Sequence, residues 1–475
     1  MDNLKLINDK IVENYDEMVK TLQELVRINS ERTTPENDKP FGKGVHDAFL
    51  YMLKKGENDG FIASNVDNYG GHIDMLCEDS KNRETMGILA HLDVVPAGDG
   101  WDYDPYGAEI IDGKMYGRGT GDDKGPTIAA YFAMRAIKDA GIALNKNVRL
   151  ILGLDEETGW DGMHYYLSKI PKPADFGFTP DGDFPAVHGE MGILNFDIAK
   201  KFTKGVGGGI ELRSFKGGHA HNMVPDYARV VLRSDNHLIY ESLKEKASNL
   251  RNEGIKVKAR GVGKSFEIIA EGKSAHGSTP EKGINAISIL MDFIKDIEFN
   301  NESINEFIEF YNNKIGFQLD GENLGICLED EVSGKTVLNV GVIELDTKSA
   351  KLAINVRYPV TFSENDIYDN LGEVLNKYNI GIVKKMSQDP IYMEKDNPLI
   401  TTMMDVYKRV TGDVAAEAQI MGGGTYARAL ENFVAFGALF PWEKELFHQR
   451  NEFMSLDSLK KATEIYAETI YELCK

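Results

Sequence analysis

Apolar side chains return every three or four positions between residues 4 and 28 (LKLINDKIVENYDEMVKTLQELVRI), which predicts an amphipathic opening helix. Residues 86–93 (MGILAHLD) form a short unbroken apolar run and read as a buried strand passing into a loop. Residues 98–123 are rich in Gly, Asp and Tyr and read as loops with a hairpin. A helix is expected over 124–140, with Pro126 in its first turn, where proline is tolerated. Residues 147–157 (NVRLILGLDEE) predict a second buried strand, one that ends in acids. Strands alternating with helices imply an α/β unit with a mixed, largely parallel sheet between helices.

The pattern changes after about residue 190. Strand-like stretches at 192–202, 265–275 and 351–360 are separated by helical ones such as 284–297, and glycines at 205, 207, 208 and 209 mark a loop. This is α+β material. From about residue 390 the helix-rich style returns and ends in a helix over 456–474. The first unit is therefore expected to be discontinuous, with the middle of the chain inserted. No short internal repeat is visible.

Composition narrows the function. With 475 residues, 42% of them hydrophobic and 27% charged, the chain has material for two or three domains. No apolar run approaches the roughly 20 residues that span a bilayer. The start, Met1-Asp-Asn-Leu-Lys-Leu, lacks the apolar core of a signal peptide. Three scattered cysteines, Cys77, Cys327 and Cys474, argue for a reducing cytoplasm and against a cysteine-built zinc site. The net charge of -21, from 54 Lys+Arg against 75 Asp+Glu, repels phosphate backbones and disfavours nucleic acid. Its first consequence is solubility, though it also suits cations and substrates with a free amine.

The candidate chemistry sits at strand ends. His91-Leu-Asp93 places an imidazole and a carboxylate two apart, and a metal-bound histidine commonly passes its other N–H to a carboxylate. Gly117-Arg-Gly-Thr-Gly-Asp122-Asp123-Lys-Gly-Pro126 sets two acids at a helix start, where capping is the plainer use. Asp155-Glu156-Glu157 crowds three carboxylates that repel one another unless a cation lies among them; an exposed acidic loop is the alternative. Thr179-Pro-Asp181-Gly-Asp183 could be an ordinary turn, and His448 in Phe447-His448-Gln-Arg-Asn-Glu452 an ordinary polar side chain. Together these residues supply the nitrogen and oxygen donors of a two-metal site that keeps room for water.

In order and spacing, His91-Leu-Asp93, Gly119-Thr-Gly-Asp122-Asp123-Lys-Gly, Asp155-Glu156-Glu157, Asp181 and His448 resemble the dinuclear zinc peptidases, the superfamily of aminoacylase, carboxypeptidase G and succinyl-diaminopimelate desuccinylase. Within it the chain is most similar to the bacterial PepV-type (Xaa-His, carnosinase-like) dipeptidases, through His91-Leu-Asp-Val-Val-Pro, Gly-Asp-Gly-Trp101, Thr179-Pro-Asp181, His188-Gly-Glu-Met-Gly and the long middle segment. The resemblance implies a catalytic domain over 1–186 and 386–475 and an inserted α+β, ferredoxin-like lid over 187–385. It implies two zinc ions, with cobalt or manganese as substitutes. Asp122 would bridge them, His91 and Asp181 would complete one site, and Glu157 and His448 the other. Glu156 would be the general base and Asp93 would orient His91. The peptide bond between Asp122 and Asp123 would be cis.

From the lid, His276 (Ser-Ala-His276-Gly-Ser-Thr-Pro) would hold the oxyanion and Arg357 (Ile-Asn-Val-Arg357-Tyr-Pro) the substrate carboxylate. Asn222 would add a contact, and Gly422, Gly423, Gly424 and Thr425 would line the substrate pocket. Gly121 stands where relatives often carry a larger residue. The middle segment is longer than the lids of dimerising relatives, so a monomer is expected, with residues 193–260 replacing a partner's lid. The implied function is a cytoplasmic, metal-dependent dipeptidase that acts on short peptides with a free C-terminal carboxylate, through a metal-bridged water. The alternatives are an N-acyl amino acid deacylase or aminotripeptidase of the same fold and, further off, a non-catalytic metal-binding protein. Nucleic-acid and membrane partners are not expected.

Overall fold

The apolar run near residue 90 forms the strand Thr85–His91, and the one near residue 150 forms Asn147–Gly153. They pair in parallel register from Thr85↔Asn147 to His91↔Gly153. Phe176–Thr179 joins the free side of Thr85–His91 in parallel, and Phe433–Ala435 pairs with it in parallel in turn. Outside Asn147–Gly153 lie Gly70–Met75 and Ile62–Val66, both antiparallel. The sheet is thus mixed, and parallel only through its centre. There the runs are apolar on both sides, as strands buried on both faces require. The acids of residues 155–157 lie in the turn after Asn147–Gly153 rather than in the strand itself.

The computed structural model describes residues 3–475 apart from the side chain of His237; Met1 and Asp2, the start of the N-terminal segment discussed above, lie outside the described residues. The chain forms two compact units. One comprises the residues up to His188 with Met393–Gln419 and Gly424–Lys475; the other comprises Gly189–Tyr392 with Ile420–Gly423.

In the first unit the helices Lys124–Asp139 and Leu456–Cys474 pack on each other and on the central strands. Their apolar faces, with Ile128, Phe132, Leu459 and Tyr466, enter a core shared with Ile88, Leu150 and Phe178. The opening segment is two helices, Asn3–Glu13 and Tyr15–Val26, not one. Asn14 interrupts them with ψ near 1°, and its amide donates to Asp139 Oδ2 at 2.9 Å. Asparagine is a weak helix former, and the backbone bonds from Asn14 to Lys10 and from Met18 to Asn14 continue across the break. The hairpin lies at Glu109–Ile111 and Lys114–Tyr116, turning through Asp112 and Gly113, both at positive φ.

The second unit is built on an eight-stranded antiparallel sheet. Two similar excursions make it up: the hairpin Ile210–Gly217/Tyr227–Ser234, helix His237–Asn252 and strand Lys256–Val262; then the hairpin Val337–Asp346/Ser349–Tyr358, helix Glu364–Lys377 and strand Gly381–Gln388. Ser265–Glu271 completes the first half and Gly192–Lys201 the second. The halves join edge to edge between Ser214↔Asp346 and Gly217↔Ile343. Residues 193–201 therefore belong to the half containing Arg357, and the other half's strands span 210–271. The core of this unit is its own, centred on Phe196, Leu232, Ile268 and Ile354. Among the described residues, no helix is long and apolar enough to cross a membrane, and Cys77, Cys327 and Cys474 are free thiols.

Close approach of the central strands depends on a glycine pair. A Cβ added at Gly177 would stand 1.9 Å from the Gly87 carbonyl oxygen and 2.8 Å from the Phe433 ring. Gly177→Ala should therefore destabilise the protein by about 1–3 kcal/mol, the usual cost of overpacking. Urea denaturation would measure this, and an unchanged midpoint would show that the strands can separate without penalty.

Candidate active site

Three of the parallel strands end at the same edge, and each delivers acids or an imidazole there. His91 closes Thr85–His91, Glu156 and Glu157 follow Asn147–Gly153, and Asp181 follows Phe176–Thr179. In open α/β sheets the carboxyl ends of parallel strands are where ligands bind. Asp122 arrives on the loop before helix Lys124–Asp139, and His448 on the loop before Phe453–Ser455. All six belong to the first unit.

Asp122 stands between the two imidazoles. Its Oδ1 is 3.0 Å from His91 Nε2, and its Oδ2 is 2.9 Å from His448 Nε2. Glu157 Oε1 also lies 2.9 Å from His448 Nε2, and Asp181 Oδ2 lies 4.0 Å from His91 Nε2. Candidate ligand atoms of His91, Asp122 and Glu157 fall within 4.8 Å of one another, as do those of His91, Glu156 and Asp181. His91 is fully buried, and His448 is 53% exposed in its side chain.

The tautomer of His91 can be read from its partners. Nδ1 faces the backbone carbonyl of Asp93 at 3.0 Å, an atom that only accepts, so Nδ1 carries a proton. In the neutral ring Nε2 is then a lone pair aimed at carboxylate oxygens, which is the donor set of a metal site. The electrostatics agree. Burial, with the charge of Asp181 beside it, pushes Glu156 well above the ordinary carboxylate range. Burial and Asp122 raise Glu157 against the pull of His448. Burial alone would lower His448, but its hydrogen bonds to the Asp122 and Glu157 carboxylates outweigh that and raise it to about 11. Crowded carboxylates hold protons, and imidazoles among them stay cationic, where positive charge is in demand. A divalent cation meets that demand, and the residues present fit one.

The surrounding residues grip the backbone. Asp93 Oδ1 and Oδ2 accept from the Glu156 and Glu157 amides, each at 3.1 Å, while Oδ1 stands 3.4 Å from His91 Nδ1. Asp93 thus meets His91 Nδ1 most closely through its carbonyl, while its carboxylate accepts from the two amides of the glutamate turn. The Asp122–Asp123 peptide is cis. Asp123 starts the helix without a side-chain cap; its Oδ2 instead accepts from the His91 amide at 3.0 Å. At Gly121 a Cβ would come within 2.6 Å of the Phe447 ring, so a larger residue requires that ring to shift. Sequence reasoning gave no role to Tyr426, whose buried ring packs edge-on to His91 and Trp160, nor to Arg118 and Glu452. Glu452 lies in a motif already singled out, but its contacts are more than 300 residues away.

His276, Asn222, Arg357, Gly422 and Gly423 lie in the second unit, Gly424 and Thr425 in the first. His276 bridges to Met223, and the Gly277 amide donates to the Asn222 carbonyl at 2.7 Å, so the His276 and Asn222 segments are adjacent. The Ser278 amide donates to His276 Nδ1 at 3.3 Å, which leaves the proton of the neutral ring on Nε2. A Cβ at Gly422 would sit 3.1 Å from Ser278 Cβ. Arg357 is 4% exposed and donates from Nε to Asn355 Oδ1 at 3.2 Å. Asn355 donates in turn to Asn195 Oδ1 at 2.7 Å, and across the sheet Asn339 donates to the His221 and Met223 carbonyls. Thr425 caps the short helix Tyr426–Ala429.

Comparison with known proteins gives a consistent picture. The model of "Peptidase family M20/M25/M40" matches residues 87–472. A Staphylococcus epidermidis protein named "Putative dipeptidase" is 36% identical over 478 residues, covering 98% of this chain and 99% of that protein. A Bacillus subtilis protein named "Putative dipeptidase YtjP" is 37% identical over 476 residues, with the same coverage. The crystal structure of human carnosine dipeptidase 1 shares the fold, with a TM-score of 0.59 at 18% identity over 100% of this chain and 99% of that one.

Asp93→Asn would set an amide NH2 against one of two backbone N–H donors. The expected cost is about 1–3 kcal/mol of stability, that of a buried group left unsatisfied. Urea unfolding checks it, and an unchanged midpoint would show that Asp93 does not hold the glutamate turn.

Proposed function

This chain belongs to peptidase family M20/M25/M40, and we propose that it is a metal-dependent dipeptidase cleaving short peptides that carry a free C-terminal carboxylate. The observation that carries the reading is Asp122, with one oxygen toward His91 and the other toward His448. The names of the full-length relatives support the substrate class. Asp122 would be shared by two divalent cations, zinc by expectation and cobalt or manganese as substitutes, with His91 and Asp181 completing one site and Glu157 and His448 the other. When bound, such ions bring the pKa of water toward neutrality and polarise the scissile carbonyl.

The chain's own residues do the rest. Glu156 takes the proton from the attacking water on its carboxylate and delivers it to the leaving amine nitrogen. Asp93 holds the Glu156 and Glu157 amides, so the base and the neighbouring ligand stay in fixed register. His276 offers Nε2–H to the developing oxyanion, a role supported by the acceptance of the Ser278 amide at Nδ1. Arg357 binds the substrate carboxylate through its guanidinium, with Asn355 steadying Nε. Asn222 adds a polar contact, and Gly422, Gly423, Gly424 and Thr425 line the pocket.

We also propose a monomer with a catalytic domain interrupted by the lid. Its support is the pair of sheet halves joined within one chain, so that residues 210–271 fill the place of a partner's lid. The three free thiols support a cytoplasmic setting.

Glu156→Ala should keep bound zinc, read by elemental analysis, while kcat falls by about 10²–10⁴-fold, the usual worth of a general base. Retained turnover would remove Glu156 from the role. On a panel of dipeptides, tripeptides, acyl amino acids and dipeptide amides, the chelated, zinc-restored protein should favour free-acid dipeptides. Arg357→Lys should narrow that preference through KM by about tenfold, because a point charge replaces a bidentate fork. Preference for acyl amino acids or tripeptides would move the assignment within the family.

A further inference from the structure

Beside the proposed metal ligands lies a buried ion pair that the mechanism does not use. Arg118 and Glu452 are each 1% exposed, and Arg118 Nη1 lies 2.5 Å from Glu452 Oε2. The second oxygen of Glu452 faces elsewhere: Oε1 accepts from the Gly121 amide at 2.9 Å and from the Asp122 amide at 3.3 Å. The Glu452 carbonyl accepts from the Gly117 amide at 3.0 Å. Arg118 Nη2 reaches the carbonyls of Pro96 and Ala97 at 3.4 and 3.5 Å, and its guanidinium stacks over Trp101. The pair therefore ties together three segments, those that follow His91, lead into Asp122 and follow His448.

A buried ion pair adds little net stability, since desolvation offsets the attraction. What this pair does add is placement. We infer that Glu452, clamped by Arg118, is a positioning residue that sets the Asp122 backbone, and with it the spacing between Asp122 and the His448 loop, for divalent-cation binding. The inference rests on the reading that the cluster holds metal. Glu452 is not one of the proposed ligands and acts through the backbone of one of them. A carboxylate suits the position because both of its faces meet donors: two amides on one side and a guanidinium on the other. A glutamine must turn its NH2 toward one of them.

The test uses the full chain stripped of metal and titrated with zinc against a competing chelator. Wild type, Glu452→Gln, Glu452→Asp and Arg118→Lys are compared, and the melting temperature of each is taken with and without zinc. Glu452→Gln should bind zinc about 10–100-fold more weakly, the usual loss when a group supporting a metal ligand is removed. The rise in melting temperature on adding zinc should shrink with it, because stabilisation by a ligand follows its affinity. Arg118→Lys keeps a cation beside Glu452 and should stay within about threefold of wild type, a difference of less than 1 kcal/mol.

A merely structural role predicts something else: equal losses of melting temperature with and without zinc, and unchanged zinc affinity in the folded protein. That outcome overturns the inference. Should Glu452→Gln fail to fold, Glu452→Asp is read by the same criteria; it keeps the charge for Arg118 but withdraws the oxygens from the two amides by one methylene. If wild type itself binds no zinc, the metal reading fails first, and the two failures are told apart.

Discussion

Everything at the strand ends depends on one constraint: more acceptor atoms converge there than hydrogens can serve. His91 has committed Nδ1–H to a backbone carbonyl, and its Nε2 faces Asp122. Asp122 offers its other oxygen to His448, where Glu157 also points. In a buried setting, such a set of lone pairs is repulsive unless positive charge lies among them. Protons can supply that charge, as the raised His448 and Glu156 indicate. A divalent cation supplies it more fully, because oxygen and nitrogen donors can surround it.

Lone pairs that repel must be held in place by something else, and here the holding is done through the backbone. Asp93 takes the amides of Glu156 and Glu157, Asp123 takes that of His91, and Glu452 takes those of Gly121 and Asp122. Each supporting carboxylate accepts from the main chain of a segment bearing a proposed ligand. Main-chain donors have fixed directions, so a bond to one fixes the local path more firmly than a contact to a flexible side-chain tip. The parallel centre of the sheet supplies the other half of the rigidity, with Gly87 and Gly177 allowing the strands carrying His91 and Asp181 to lie close.

The second unit follows the same logic with amides in place of carboxylates. Asn195, Asn355 and Asn339 occupy facing positions on three neighbouring strands, Gly192–Lys201, Ser349–Tyr358 and Val337–Asp346. The middle member, Asn355, steadies Arg357, and Asn339 at one end holds the carbonyls flanking Asn222. A neutral amide can donate and accept at once, so it orients an arginine without neutralising it. An aspartate at 355 would hold the guanidinium more tightly and also compete with any substrate carboxylate for its charge.

Much of the fold could be read from the sequence because its strands and helices had a local signature, whereas the proposed ligands stood out only together, by their order and spacing. Apolar runs marked the buried strands, and acids or a histidine immediately after such a run marked where they stop. The final helix carried its amphipathic pattern throughout, and Leu456–Cys474 is helical end to end. The break at Asn14 left no mark in the apolar periodicity, and the partner of its side chain, Asp139, lies 125 residues away. The two sheet halves were hidden because their likeness is one of topology; strand 192–201 completes a half whose other strands begin at residue 337, so no linear period exists. Arg118 and Glu452 were hidden for a chemical reason. A metal restricts its donors to a few residue types, and those types advertise themselves. A backbone N–H accepts any oxygen of suitable reach, so the residue that serves it carries no mark until the chain has folded around it.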